Sequence, residues 1–517
     1  MKLNKKILSL LLAGALIMGL AACSGSGSGS GAGTESPQVS GQQSQSGGSS
    51  NEETVINVAV GSFATSSVYT AKEQFEADNP GITINVVEIP FGSLYEKLCT
   101  SFATNTAAYD IAIYPSNWLS EFIQGNSVIA LDEYLTEKDN WDTLIDAYYD
   151  MQMYDGKCYA VPLDGDSIIL YYRKDALENE EYRAMFQEKY GYELTVPTTW
   201  DQYIDVAEFF NGWDWDGDGE LEYGTIEAMA PKDVGGYIFL THAITYAAHP
   251  DYPGYAFFDY ETLEPEVKSP AYERALEEYT RILQFGPPNM INYGGGDERA
   301  AFAAGEAAMA IDWHDTGIMA QNPDSSVVKE NVGYALVPGT YECWNPETEQ
   351  WDEFDEIQYA PYLAFSGWTA SVTSTCANPQ AAADFLNLMD NDENSLAAVT
   401  TDGTARNPYR LEHLTDAAAW ENSAIHFYNA QEFIDTILES YTHPNVQLDM
   451  RLPKAGSYLD ALDLGVSQAL SGDLDIPHAL QYVYDSWEEI TDEQGRESQL
   501  EFYHNTYANV TTGTGVN

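Results

Sequence analysis

The chain has 517 residues, 44% hydrophobic and 20% charged, a balance that excludes disorder of the whole and leaves ample material for more than one core. Its charge is one-sided: 81 Asp and Glu against 22 Lys and Arg give −59. Such a field repels nucleic-acid phosphates and anionic lipid surfaces, and leaves neutral or cationic small molecules open as ligands.

Lys2, Lys5 and Lys6 precede an apolar run from Ile7 to Leu20, the layout of an export signal rather than of a membrane span. The run ends Leu20-Ala21-Ala22-Cys23, which resembles the lipobox of bacterial lipoproteins. That resemblance implies cleavage after residue 22 and lipidation of Cys23; the plainer alternative is an ordinary signal cut near Ala22. Residues 23–53 are mostly Ser, Gly and Gln and read as a flexible tether with a reach of roughly 25–30 Å. The short Lys-rich start and this tether point to the outer face of a Gram-positive membrane. Cys99, Cys158, Cys343 and Cys376 stand far apart with no CxxC, so a zinc cluster is unsupported, and both disulfides and free thiols stay open.

From about Thr54 strands and helices alternate. Val55–Val60, Ile82–Val87 and Tyr109–Tyr114 read as strands, while Ser66–Asn79 and Ser93–Ala103 carry helical spacing. Further on, Thr199 and Gln202 form a capping box before Tyr203–Phe210. Ala271–Phe285 and Pro379–Met389 read as amphipathic helices, the second with Asn378 as N-cap and Pro379 in its first turn. Alternation of this kind predicts an α/β fold of parallel sheets covered on both faces.

A series of short segments then carries a family resemblance. They are Phe75-Glu76-Ala77-Asp78-Asn79-Pro80-Gly81-Ile82, Tyr109-Asp110-Ile111 ahead of Trp118, Gly156-Lys157-Cys158-Tyr159-Ala160-Val161-Pro162 and Tyr171-Tyr172-Arg173-Lys174-Asp175. After these come Pro197-Thr198-Thr199-Trp200, the stretch Phe302–Met309 and Asn378-Pro379-Gln380-Ala381-Ala382. In this order they resemble the family-1, maltose-binding-like solute-binding proteins of carbohydrate ABC importers; Arg173, where that family often has Asn, is a minor departure. The resemblance implies a two-lobed periplasmic-binding-protein fold, type II-like, with a mostly parallel sheet in each lobe and the ligand cleft between them. It implies chain crossovers near Pro162–Asp166, near Pro338–Tyr341 and after Met389. The lobes would then comprise 54–165 with 340–392 and 166–339 with 393–517.

Sugar recognition needs flat aromatic faces and oxygen-bearing side chains. By position in the resemblance, Trp313 and Trp368 are stacking candidates, with plain core packing the alternative, and Asp164 and Asp166 would accept hydroxyl protons beside the first crossover, with a solvated turn the alternative. Trp118 and Tyr458 are further aromatic candidates, and Arg406 stands out because basic residues are scarce; core packing and salt bridging are the plain alternatives for these three. Separately, Asp214, Asp216, Asp218, Glu220 and Glu222 surround Gly217 and Gly219 in a run of alternating oxygens suited to Ca²⁺ as a structural staple, the alternative being an acidic turn without metal. Thr225 holds the twelfth position, so an EF-hand proper is not expected.

No G-x-S-x-G, H-E-x-x-H or P-loop signature is present, and the chain is not expected to be an enzyme. The expected function is capture of a sugar or oligosaccharide for an ABC permease, by a lipid-anchored monomer that binds no nucleic acid. A sugar sensor feeding a membrane receptor kinase and a secreted glycoside hydrolase are the alternatives.

Overall fold

The computed structural model describes residues 54–62, 64–135, 141–401 and 406–507. The leader, Cys23 and the tether lie outside the described residues. The alternating start is present, close to the expected boundaries: β1 (Thr54–Gly61), α1 (Ser66–Asp78), β2 (Ile82–Ile89), α2 (Phe91–Thr104) and β3 (Ile111–Pro115). α1 buries Val68, Ala71 and Phe75, one stripe at helical spacing. It ends where the Asn79 amide bonds to the Phe75 carbonyl, and Gly81, at φ +103°, turns the chain into β2.

Six later strands complete two sheets: β4 (Val161–Pro162), β5 (Ile169–Arg173), β6 (Tyr223–Ile226), β7 (Ala307–Asp312), β8 (Val332–Leu336) and β9 (Trp368–Val372). The first sheet has the order β2-β1-β3-β9-β4 and the second β8-β5-β7-β6. Both are mixed rather than mostly parallel. β1 is parallel to β2 and β3, but β9 runs antiparallel to β3 and β4. In the second sheet only β6 and β7 are parallel; β5 is antiparallel to both neighbours. The exceptions are the strands on which the chain enters or re-enters a sheet from the other one. A strand arriving that way is not bound to the direction that a helical crossover within one sheet imposes.

The second sheet is covered on both faces, which is why β5 reads as an unbroken apolar run. Ile169 and Tyr171 belong to the hydrophobic core shared with the first sheet. Leu170 and Tyr172 belong to the other core, built with α3 (Trp200–Phe210), α4 (Gly235–Ala247), α5 (Pro270–Ile282), α8 (Ala455–Ser471) and α9 (Ile476–Gln494). α6 (Pro379–Met389) packs on α1 beside the first sheet and α7 (Ala430–Thr442) against β8.

Thr199 caps α3 as expected, its Oγ1 accepting the Gln202 amide at 3.3 Å. Gln202 reaches back one residue further than the reciprocal box requires, accepting from the Thr198 amide at 2.9 Å. α6 starts at Pro379 as expected, but the Asn378 side chain makes no capping bond. Cys99, Cys158, Cys343 and Cys376 form no disulfide, and no helix among the described residues is long and apolar enough to cross a membrane.

The chain leaves the first sheet through residues 163–168, where the first crossover was expected. Near Pro338–Tyr341 it instead enters a hairpin, Thr340–Asn345 paired with Gln350–Gln358, that packs on α4. The return to the first sheet comes at residues 364–367. The exit passage also lies against the stretch before Tyr409, where the missing Cβ of Gly165 would lie 2.1 Å from the Pro408 carbonyl oxygen. Gly165→Ala is therefore expected to cost about 2 kcal/mol or more of stability, because backbone rather than a movable side chain must give way; a urea midpoint within error of the parent would contradict this close approach.

Candidate functional site

Between the ends of the two sheets lies a cleft of about 750 Å³. From the side of the first sheet it receives Phe91, at the start of α2, with Phe365 and Trp368. From the other side come Lys232, Asp233 and Val234 ahead of α4, Arg299, and Trp313 and Asp315 at the end of β7. Asp164, Asp166 and Asn407 also line it. Four residues expected from the sequence, Trp313, Trp368, Asp164 and Asp166, thus share one cavity.

Each is held by bonds that fix its orientation. The Trp313 indole donates to the Ala364 carbonyl at 3.0 Å, and its own carbonyl accepts the Tyr171 hydroxyl at 2.7 Å. Trp368 donates its backbone amide to Asp164 Oδ2 at 3.2 Å, and the Asn407 amide donates to Asp164 Oδ1. Asp166 Oδ1 accepts from Asn407 Nδ2 at 2.8 Å, and Asp315 Oδ2 accepts from the same nitrogen at 3.3 Å. Phe91 and Phe365 flank Trp368 with ring centroids 5.8 and 5.6 Å away, so the walls are aromatic and the floor is oxygen.

The wall around Trp368 is built on strained backbone. Phe365, Ser366 and Gly367 sit at φ +70°, +61° and +72° in succession, a left-handed run that bulky side chains avoid. Gly367 permits it: a Cβ there would approach the Asp164 carbonyl oxygen to 2.3 Å.

The remaining candidates lie elsewhere. Trp118 stands behind the wall, stacked on Phe91 with centroids 6.3 Å apart. Tyr458 is in the core of the second half, edge-on to Phe258 at 5.6 Å and bonded through its hydroxyl to Thr491 at 2.8 Å. Arg406 is 1% exposed and sits behind Asp164, its Nε donating to Ser67 Oγ at 3.4 Å. Its role here is electrostatic, as a counter-charge beneath the floor.

Burial pushes the Asp164 carboxyl up to about 7, with Arg406 pulling the other way. Asp166 is raised well above the usual range, first by burial and then by the like charges of Asp164 and Asp315. Arg299 is committed to Asp312, at 2.6 Å from Nε and 3.2 Å from Nη2. Its Nη2 also stands 3.5 Å from Asp315.

Sequence reasoning missed Phe91, Lys232, Asp233, Val234, Arg299, Asp315, Phe365 and Asn407. Asp315 and Asn407 each neighbour a candidate, and Phe91 follows the end of a predicted strand, where such sheets place their sites. Phe365 carries no signal, since its place depends on the unusual turn.

A second cluster is separate from the cleft. One carboxylate oxygen from each of Asp214, Asp216, Asp218 and Glu222 lies within 4.8 Å of the others; Glu220 is not among them. Gly217 and Gly219, at φ +84° and +99°, shape the loop. Asp214 Oδ1 accepts the Gly217 amide at 2.7 Å and Glu222 Oε2 the Trp215 amide at 2.9 Å. Glu220 only donates its amide to Asp218 Oδ1 at 2.8 Å. Among the charged side chains, Arg173 Nη2 stands 3.8 Å from Asp216.

Residues 61–395 match the family described as bacterial extracellular solute-binding protein. The mannitol-binding protein of Pseudomonas aeruginosa is 26% identical over 274 residues, covering 51% of this chain and 56% of the relative. The curated relatives are thus matched over about half their length or less. In structure the chain is similar to an ABC transporter solute-binding protein of Agrobacterium radiobacter K84 in complex with ribitol, with a TM-score of 0.67, 18% identity, and coverage of 85% of this chain and 99% of that one. It is also similar to maltose-bound MalE3 of T. maritima, with a TM-score of 0.65, 19% identity and coverage of 84% and 100%. These likenesses show the α/β periplasmic-binding-protein fold.

The floor carboxyls make stability depend on pH. A carboxyl raised by folding binds more protons folded than unfolded between its ordinary value of 3.8 and, for Asp164, about 7. Stability is therefore lost as pH rises through that interval. Urea midpoints of the ligand-free protein are expected to fall from about pH 5 to about pH 7.5, with a shallower fall in Asp166→Asn. An identical slope in that variant would show that the buried pair is not the cause.

Proposed function

The chain belongs to the bacterial extracellular solute-binding protein family, a family of binding proteins rather than enzymes, and from that premise we propose that it captures a carbohydrate in its cleft for an ABC permease. The observation that carries this reading is the pairing, in one cleft, of Trp313, Trp368, Phe91 and Phe365 with Asp164, Asp166, Asp315 and Asn407. Aromatic faces pack the C–H face of a sugar, and the oxygens accept its hydroxyl protons. Relatives named for mannitol, ribitol and maltose support an uncharged, hydroxyl-rich solute class, from sugar alcohols to oligosaccharides.

The work is conformational and not chemical. The two sheets act as the centres of two lobes, joined through residues 163–168 and 364–367, and the ligand favours the closed form because only there do both sides touch it. Cys23 anchors the protein by lipid at the outer face of the membrane, and the Ser/Gly tether lets the lobes reorient towards the permease. Asp214, Asp216, Asp218 and Glu222 hold a Ca²⁺ ion that staples their loop; the donor set is wholly hard oxygen, and the loop brings together four carboxylates.

A thermal-shift panel of sugar alcohols, monosaccharides and oligosaccharides tests the reading. One class should stabilise the protein in a concentration-dependent way, by about 2.7 kcal/mol at a hundredfold excess over Kd. Trp313→Leu, which keeps apolar bulk but removes the flat face, should weaken that ligand about tenfold or more. A panel without a single stabilising carbohydrate would overturn the proposal. For the loop, chelator should lower the melting temperature of the parent and leave Asp218→Asn unmoved; equal responses would remove the Ca²⁺ reading.

A further inference from the structure

The cleft offers more acceptors than the protein supplies donors for. Asp164, Asp166, Asp233 and Asp315 line it against Lys232 and Arg299. Arg299 is engaged in two bonds to the buried Asp312. Asp233 accepts the Gly295 amide at 3.0 Å, and Asp164 receives two backbone amides with Arg406 behind it. Asp166 and Asp315 share the neutral side-chain donor Asn407 Nδ2, and Asp315 also stands 3.5 Å from Arg299 Nη2, a group already bonded to Asp312. Asn407 itself is 2% exposed, and its carbonyl oxygen Oδ1 is buried with no donor among the described residues. A buried acceptor left in this state is costly and points to a donor that arrives from outside.

Acceptors on this floor therefore outnumber donors: the carboxyl groups of Asp166 and Asp315 have Asn407 Nδ2 and Arg299 Nη2 between them, and the Asn407 carbonyl has none among the described residues. A hydroxyl brings one proton and its own lone pairs, whereas an ammonium brings three protons and no acceptor. The walls point the same way, because Trp313, Trp368, Phe91 and Phe365 present rings around this floor and aromatic faces attract cations. Nor does the field of a chain at −59 oppose a cation on its approach.

We infer that the solute of this cleft is an aminated carbohydrate, a sugar whose protonated amine lies among Asp166, Asp315 and Asn407 Oδ1 while its ring packs on the aromatic walls. The inference rests on the carbohydrate reading above and narrows it to one ligand class.

Isothermal calorimetry on the full chain at low salt tests it, using D-glucosamine, N-acetyl-D-glucosamine and D-glucose, together with the glucosamine disaccharide and cellobiose. Each amine should bind about tenfold or more tighter than its neutral partner. Acetylation should abolish the advantage by removing the charge, and added salt should shrink it. In Asp315→Asn, at a partly exposed position chosen to spare the fold, the amine-to-neutral ratio should drop severalfold. Neutral sugars binding as tightly as their amines would overturn this inference and leave the carbohydrate reading intact. Binding of neither kind would overturn both, and an amine without hydroxyls, such as putrescine, matching the amino sugars would overturn the inference on its own.

Discussion

One carboxylate ties the site together. Asp164 accepts backbone amides from Trp368 and Asn407, residues more than two hundred positions away in sequence. Those bonds pin three passages of the chain at one point: the exit from the first sheet, the return to it, and the stretch before Tyr409. Gly165 and Gly367 allow the backbones to approach where any side chain would collide. A charged group so deeply buried is expensive unless neighbours satisfy it, and the two amides with Arg406 behind them offset part of that cost. The place where the two sheets join is consequently also the floor of the cleft, and a ligand that settles there touches the junction between the halves.

Under the proposed function, that coincidence lets binding without chemistry be read by a partner. Phe91, Phe365 and Trp368 approach from one side, Trp313, Asp315 and the residues ahead of α4 from the other. A solute that contacts both sets favours the conformer in which they face each other, to the extent of its differential affinity and no more. The backbone at residues 365–367 is strained where the wall meets the return strand. Strain of this kind persists where surrounding contacts over-determine it, and it holds the Trp368 wall rigid.

Much of the fold was legible in the sequence. Apolar spacing marked β1, α1, β2 and α2, since each buries one face or stripe, and Pro379 marked the start of α6. The mixed direction of the sheets was not legible, because period-2 burial looks the same in a parallel and an antiparallel strand. The second crossover was placed too early, at Pro338–Tyr341, because a turn that opens a hairpin carries the same residues as one that changes sheets. Trp313, Trp368, Asp164 and Asp166, named from position, fall together at the cleft. Tyr458 could not be told from a core aromatic, and it is one. Arg406 stood out by scarcity, yet its place is beneath the floor. Phe365 and Asn407 depend on a left-handed turn and a long-range amide bond, which leave no local pattern.

The account depends on a hydroxyl-bearing solute seated on this floor between the two sheets. A crystal structure of the protein grown with the carbohydrate that stabilises it most is the most direct measurement. The account predicts a sugar ring against Trp313 or Trp368, with its polar atoms in hydrogen-bond range of Asp166 and Asn407. Density for the solute on the outer surface, or a cleft that excludes it because these side chains close on one another, would contradict it.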